Sequence, residues 1–436
     1  MKRALLGLAR TCNLIFHYWP PLILLLASTL LAEMAYAMIT PTLPLFLRSG
    51  RLSAPISAIG LIFAMYAVTE ALFKAPAGAV GDRWGRTRVA VVGLLLGTIS
   101  PLLMTLVRRW EFFVPLRALD GLGVALVWPT MMALIGEKMP VRDRAQIMAA
   151  WNLPYLAGLV LGMSAGLQIG EITGDNRYAF YTSSGLLGLA ALCMIAMAMW
   201  DVQLGGSFGA PPRPVEKTGG VVEETGDVLN RHWWQRVSEL RSEQRTLLHM
   251  LWLFGFVQLA GSLPIPILTL YARDVLHLTQ AGMVKVFAVP GLLTALLALP
   301  LGKVADRVGR DRAIRAGLVL GALGLALTAL AGDRTWLVAG VLTLLGISYV
   351  VVMPAWMALT SELAPPERQG LALGAMNAAQ GVGYVLASLA GAALYEYVGP
   401  TAPFHTGAAL LAACAVACVF LVRRPRPAPS PLPPPD

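Results

Sequence analysis

The stretch Gly78–Arg88, GAVGDRWGRTR, recurs as GKVADRVGRDR over Gly302–Arg312, and each copy lies between two long apolar runs. In both, a glycine leads, Asp-Arg follows, and Gly-Arg closes. This pattern predicts a short charged hairpin between two membrane-spanning helices. Gly78, Gly81 and Gly85 would permit a tight turn. Arg83, Arg86 and Arg88 would keep the turn in water, and Asp82 could accept their hydrogen bonds or face a helix N-terminus.

The duplication extends beyond the hairpin. An offset of 225 residues pairs Pro129 with Pro354, Glu137 with Glu362, Asn152 with Asn377, Gly158 with Gly383 and Gly166 with Gly391. The hairpins themselves are 224 apart. Two halves of one design are therefore expected.

Of the 436 residues, 57% are hydrophobic and 13% charged. A soluble globular domain carries about 25% charged residues. Apolar runs able to cross about 30 Å of hydrocarbon recur along the whole chain. They fall at about 21–47, 55–79, 88–107, 112–136, 145–169 and 178–200, then at 247–271, 280–302, 313–331, 335–361, 369–394 and 402–422. Twelve spans are expected in an all-α membrane fold, divided into six-helix bundles over 21–200 and 247–422. The remaining segments are an interfacial 1–20, a linker 201–246 with an amphipathic helix over 228–245, and a proline-rich tail 423–436. Ala35-Tyr36-Ala37 resembles a signal-peptide cleavage site, but Arg10, Pro20 and Pro21 interrupt the preceding run, so an uncleaved first helix is expected.

The net charge of +10 is spread along the connections and does not indicate nucleic acid. With both termini cytoplasmic, 24 of the 34 Lys and Arg residues fall on cytoplasmic segments or the span ends that adjoin them, seven outside and three further within spans. That asymmetry is the one that sets orientation in a cell membrane. The four cysteines suggest neither a disulfide framework nor a metal site. The chain has no phosphate-binding loop and no nucleophile elbow, so no enzymatic role, cofactor or ATP requirement is expected.

Ionisable residues inside a span mark functional positions. The first half holds Glu33, Glu70, Lys74, Arg117 and Asp120; the second holds Lys285 and His249, near span ends. Coupling chemistry is thus expected in the first half. Glu33 has no basic residue one turn away, so a carboxylate there could take up and release a proton; a permanent hydrogen bond to a neighbouring helix is the alternative. Glu70 and Lys74, four apart, can pair on one face. Arg117 and Asp120, three apart, can form a static pair or exchange partners when a carboxylate is protonated. Gly158, Gly162 and Gly166 form a stripe suited to close helix packing. Candidates for a central substrate cavity are Trp128, Asn152, Tyr155, Gln258, Trp356, Asn377, Gln380 and Tyr384.

The paired hairpins resemble the signature loops of the major facilitator superfamily. LRALDGLGVALVWP, Leu116–Pro129, resembles the helix-4 motif of its twelve-helix, proton-coupled drug antiporters, with Arg117 at the characteristic arginine. Two positions depart from that branch: Gly162-Met163 stands where Gly-Pro is usual, and Asp120 replaces an amide. The resemblance implies two bundles that rock about a central site, and it links Arg117 to proton handling. It also implies a conformational gate. Asp82 would brace the N-terminus of the eleventh helix, Arg83 and Arg86 would bridge to Glu137, and Asp306, Arg307, Arg310 and Glu362 would act likewise in the second half.

The function expected is proton-driven export of hydrophobic or amphipathic small molecules by a monomer among membrane lipids. The alternatives are transport of a specific metabolite or lipid, such as a sugar, peptide or lysolipid, and a non-transporting receptor.

Overall fold

A computed structural model describes residues 21–50, 52–138, 141–203, 245–330, 334–365 and 369–421. The first half comprises α1 (Pro21–Leu47), α2 (Ile56–Trp84), α3 (Arg86–Leu106), α4 (Phe113–Lys138), α5 (Val141–Thr173) and α6 (Arg177–Gln203). The second comprises α7 (Arg245–Ser262), α8 (Gln280–Val308), α9 (Arg310–Leu330), α10 (Thr335–Leu363), α11 (Gln369–Tyr397) and α12 (Ala402–Leu421). No strand occurs among the described residues. Ten of the chain's helices are long and apolar enough to cross a membrane among those residues, and α8 is apolar over Gln280–Thr294. Helices are what hydrocarbon demands, because each must satisfy its own backbone hydrogen bonds. Residues 1–20, the amphipathic segment expected at 228–245 and the tail from 422 lie outside the described residues.

Two local expectations are corrected. The charged motif is not a loop of several residues, since α2 runs through Gly78 and Asp82 to Trp84 and α3 starts at Arg86. The whole reversal falls on Gly85, at φ 93°, with its N–H donating to the Gly81 carbonyl at 3.0 Å. Gly309 does the same between α8 and α9 at φ 100°. Only glycine adopts that backbone without strain. The seventh span is also broken: α7 stops at Ser262, a single 3-10 turn follows over Ile265–Ile267, and a short helix Leu268–Asp274 completes the crossing. Pro264 and Pro266 supply no N–H and disfavour helical geometry in the residues before them.

The halves repeat one packing scheme. The heaviest contacts in the first half, α1 with α5 and α6, α4 with α2 and α3, and α3 with α6, recur as α7 with α11 and α12, α10 with α8 and α9, and α9 with α12. The glycine stripe sets the α1–α5 distance. Cβ atoms at Gly158 and Gly166 would strike the Leu30 and Met38 carbonyls, and one at Gly162 the Met34 carbonyl. In the second half, Gly383 meets the backbone of Gly255 on α7, and Gly391 that of Leu263 just past its end, in the same way. Large apolar side chains left exposed, such as Leu95, Ile99 and Leu102 on α3 or Val416 and Phe420 on α12, form the outer surface toward lipid.

The two halves join at the far end and mid-span, and part toward the hairpin end. Opposite the Gly85 and Gly309 turns, at the far end, Ile39, Leu43 and Phe46 of α1 share one core with Leu270, Tyr271 and Leu276. There Gly60 of α2 lies against Ser388 and Ala392 of α11. Mid-span contacts remain between Ala71 and Gly381 and between Val160 and Gly291. At the hairpin end the cores separate. Leu25, Leu94, Met131 and Met194 cluster within the first half alone, and Leu247, Ala364 and Ala372 within the second. Residues 71–75 of α2 are all exposed, which a helix packed along one side cannot achieve. The central space therefore opens toward the hairpin end.

Because the neighbour at Gly162 is backbone, Gly162→Ala is expected to cost about 1–3 kcal/mol of stability. Gly340→Ala, with nothing within 4 Å of the added carbon, should be neutral or slightly stabilising. Thermal unfolding of the two variants in detergent micelles checks the contrast.

Candidate functional site

The centre of the first half is built on α4. Arg117 and Asp120, one turn apart, are both buried, and Arg117 Nη1 donates to Asp120 Oδ2 at 2.7 Å. The guanidinium carbon also lies 4.4 Å from the ring centre of Tyr66 and 5.7 Å from that of Phe63, both on α2. Gly121 lets α4 press onto α2 here, since a Cβ would meet the Tyr66 carbonyl and Thr69 Oγ1. Two aromatic faces and one carboxylate thus replace the water an arginine would otherwise hold. Among the described residues Arg117 Nε has no hydrogen-bond partner, and Ser100 lies beside the Asp120 carboxylate.

Glu33 lies midway along α1 and is only 7% exposed. Its Cβ would sit 2.9 Å from one added at Gly158. No basic side chain pairs with it among the described residues. Tyr36, one turn further, inserts its hydroxyl between α3 and α4 where Gly97 and Gly123 leave room, and among the described residues that buried hydroxyl has no hydrogen-bond partner. Glu70 and Lys74 pair at 2.8 Å and are partly exposed, as their spacing implies. Together Glu33, Tyr36, Tyr66, Glu70, Arg117 and Asp120 bring α1, α2 and α4 to one place.

Toward the hairpin end, Trp128, Trp151 and Tyr155 form an aromatic cluster with ring centres 5.4 to 6.2 Å apart. Trp151 Nε1 donates to Thr29 Oγ1 at 2.9 Å, one turn before Glu33. Asn152, beside it, is exposed, and its amide donates to the Met148 carbonyl at 3.2 Å. From the second half, α11 contributes exposed Asn377 and half-buried Gln380 and Tyr384, and Gln258 packs against Gly383. Trp356 requires a correction. It is fully buried on α10, 5.3 Å from the Phe254 ring, and offers no surface to a cavity. Sequence reasoning missed Tyr36, Tyr66 and Trp151. Tyr36 follows Glu33 by three residues and Trp151 precedes Tyr155 by four, so helical spacing from a chosen residue could have found both.

Among the gate residues, Asp82 is half-exposed and accepts from Arg86 Nη2 at 2.9 Å within its own turn, not from the start of α11. Arg83 and Arg307 are exposed, Gly78 faces open space, and Arg310 forms an ion pair with Glu362 across α9 and α10. The side chains of Glu137 and Asp306 lie outside the described residues. The apolar groove between α9 and α12, lined by Val319, Leu323, Ala408 and Val416, is on the outer surface, remote from this cluster.

The sequence model of the Major Facilitator Superfamily matches residues 25–284 and 250–436. The chain is 28% identical over 402 residues to multidrug resistance protein MdtG of Rahnella sp. (strain Y9602), covering 90% of this chain and 91% of that protein. It is 26% identical over 399 residues to the class C tetracycline resistance protein of Escherichia coli, covering 90% and 95%. Among solved structures, peptide transporter POT superposes with a TM-score of 0.74 at 15% identity, covering 92% of this chain and 93% of that one. Nucleoside transporter NupG gives 0.73 at 13%, covering 93% and 100%. At those identities the structural likeness establishes the fold alone.

Removing one member of the buried pair strands the other. Asp120→Asn is expected to destabilise the protein by about 3–5 kcal/mol, whereas Arg117→Met with Asp120→Leu should recover most of that loss. Melting of both variants in detergent is the measurement.

Proposed function

We propose that this chain, which belongs to the Major Facilitator Superfamily, is a proton-driven exporter of hydrophobic or amphipathic small molecules. That the protein is a multi-pass membrane transporter follows from the family and the apolar helices. The finer reading rests above all on Glu33: a carboxylate buried mid-span, with no cation paired to it among the described residues. Around it the charges do not balance. Among the described span residues of the first half, Glu33, Glu70 and Asp120 face Arg117 and Lys74, which leaves one negative charge for a proton or a substrate cation to neutralise. Competition between the two for that charge is the simplest form of exchange.

The basic residues favour the hairpin end as cytoplasmic, with both termini on that side of the cell membrane. The open side of the structure then takes solute from the cytoplasm. Trp128 and Tyr155, the partly exposed rings of the aromatic cluster, lie on that route and suit flat, apolar solutes. Few fixed hydrogen-bond donors accompany it, which favours breadth over selection of one metabolite. Multidrug and tetracycline resistance are the roles named for relatives matched along most of this chain, which supports the same choice. Each half supplies one wall of the cavity, so a single chain forms a complete site.

In the cycle proposed, solute binding at the cytoplasmic opening accompanies loss of the Glu33 proton, and reprotonation from outside accompanies release. Asp120 holds Arg117 in place while Glu33 changes charge. Lipids cover the outer faces of both bundles.

In proteoliposomes with an imposed pH gradient, Glu33→Gln is expected to reduce gradient-driven uptake of an amphipathic dye to the level of empty vesicles, while the melting temperature is maintained. Full gradient-dependent uptake by that variant would remove Glu33 from the mechanism. Stabilisation by one metabolite class, and by none of several unrelated amphiphiles, would replace drug export with transport of that metabolite.

A further inference from the structure

At the far end, the seams between the halves carry a matched pair of contacts. Glu396, in the last turn of α11, accepts the backbone N–H of Ser57 at the start of α2 through Oε2, at 2.7 Å. Glu171, in the last turns of α5, accepts the backbone N–H of Gln280, the first residue of α8, through Oε2 at 2.9 Å. The two glutamates are 225 residues apart, the offset that also pairs Asn152 with Asn377 and Gly158 with Gly383. One position of the repeat therefore bears a carboxylate in both copies. Each reaches across the seam to the opening turn of the other half's corresponding helix.

We propose that Glu171 and Glu396 are positioning residues of the transport cycle, a two-fold pair of latches that hold the far gate shut. This rests on the reading of the chain as an alternating-access transporter. The first amides of a helix have no partner within it, and the helix dipole adds partial positive charge there. A carboxylate satisfies both needs, and these come from the opposite half, so rocking that opens the far end must break both contacts together. The seams involved, α2 with α11 and α5 with α8, are the heaviest contacts between halves. Both carboxylates sit at the outer rim of those seams, beyond the central charges, so they bear on which opening is populated more than on what binds.

The pair is not equal. The start of α2 has Pro55 at its cap and no side-chain cap of its own, so Glu396 supplies what the local sequence lacks. The start of α8 also has Thr279, whose Oγ1 accepts from the Gly282 N–H at 3.1 Å. Loss of Glu396 should therefore shift the gate more than loss of Glu171.

The test is a distance measurement in liposomes on the full chain, with native cysteines replaced and spin labels at Arg109→Cys and Arg334→Cys, exposed far-end sites in opposite halves. Glu171→Gln and Glu396→Gln should each raise the ratio of far-open to far-closed molecules about two- to fivefold. The double variant should show about the product. Gln280→Pro, which removes the donor N–H at a first helical position that tolerates proline, should act in the direction of Glu171→Gln. An unchanged ratio in the double variant, or in Gln280→Pro, would overturn the proposal. Dye uptake in the same vesicles separates the two claims: its absence in the unmodified protein counts against drug export, while the distance ratio still decides the latches.

Discussion

A hydrocarbon interior leaves a backbone amide no partner but another amide, and leaves a charged side chain no partner but the protein itself. This structure follows from meeting both conditions with one repeated unit. Helices answer the first. For the second, the mid-span carboxylates and arginine gather where α1, α2 and α4 meet, and Arg117 has Asp120 and two aromatic rings in place of water. Glu33 is the exception, buried without a cation among the described residues, and an exception of that kind is what a transport cycle can act upon.

The frame is symmetric and the chemistry is not. Helix contacts recur pair for pair between the halves, down to glycines that bring α5 onto α1 and α11 onto α7. Yet the central carboxylates and arginine occur in the first half alone, opposite neutral Asn377, Gln380 and Tyr384. A duplicated scaffold allows this division because close packing asks only for small residues at fixed spacing, which both halves retain. The second half is then free to serve as a wall and a lever. The break at Pro264 and Pro266 interrupts its seventh span, whereas α1 remains helical through Pro41 and Pro44.

Motion between the halves has a defined place to occur. Two seams, α2 with α11 and α5 with α8, carry most of the contact between them, and both are closed at the far end. At the hairpin end Asp82 turns to its own Arg86, and separate apolar cores face one another across open space. Bundles that are well packed internally and joined along two seams move as units, because their cores resist gradual deformation.

How much was legible in the sequence depended on the range of each interaction. Hydropathy and the 225-residue repeat determined the crossing helices and the halves, since membrane thickness fixes a helix length directly. The Glu70–Lys74 and Arg117–Asp120 pairs were readable too, because helical pitch alone brings residues three or four apart together. Only the tertiary structure decided that Trp356 is packed away, that Tyr36 reaches between α3 and α4, that the turn is Gly85 alone, and that the halves meet at the far end. Each of these depends on neighbours distant in the chain, or on a balance between continuing a helix and turning, and neither leaves a local pattern in the residues themselves.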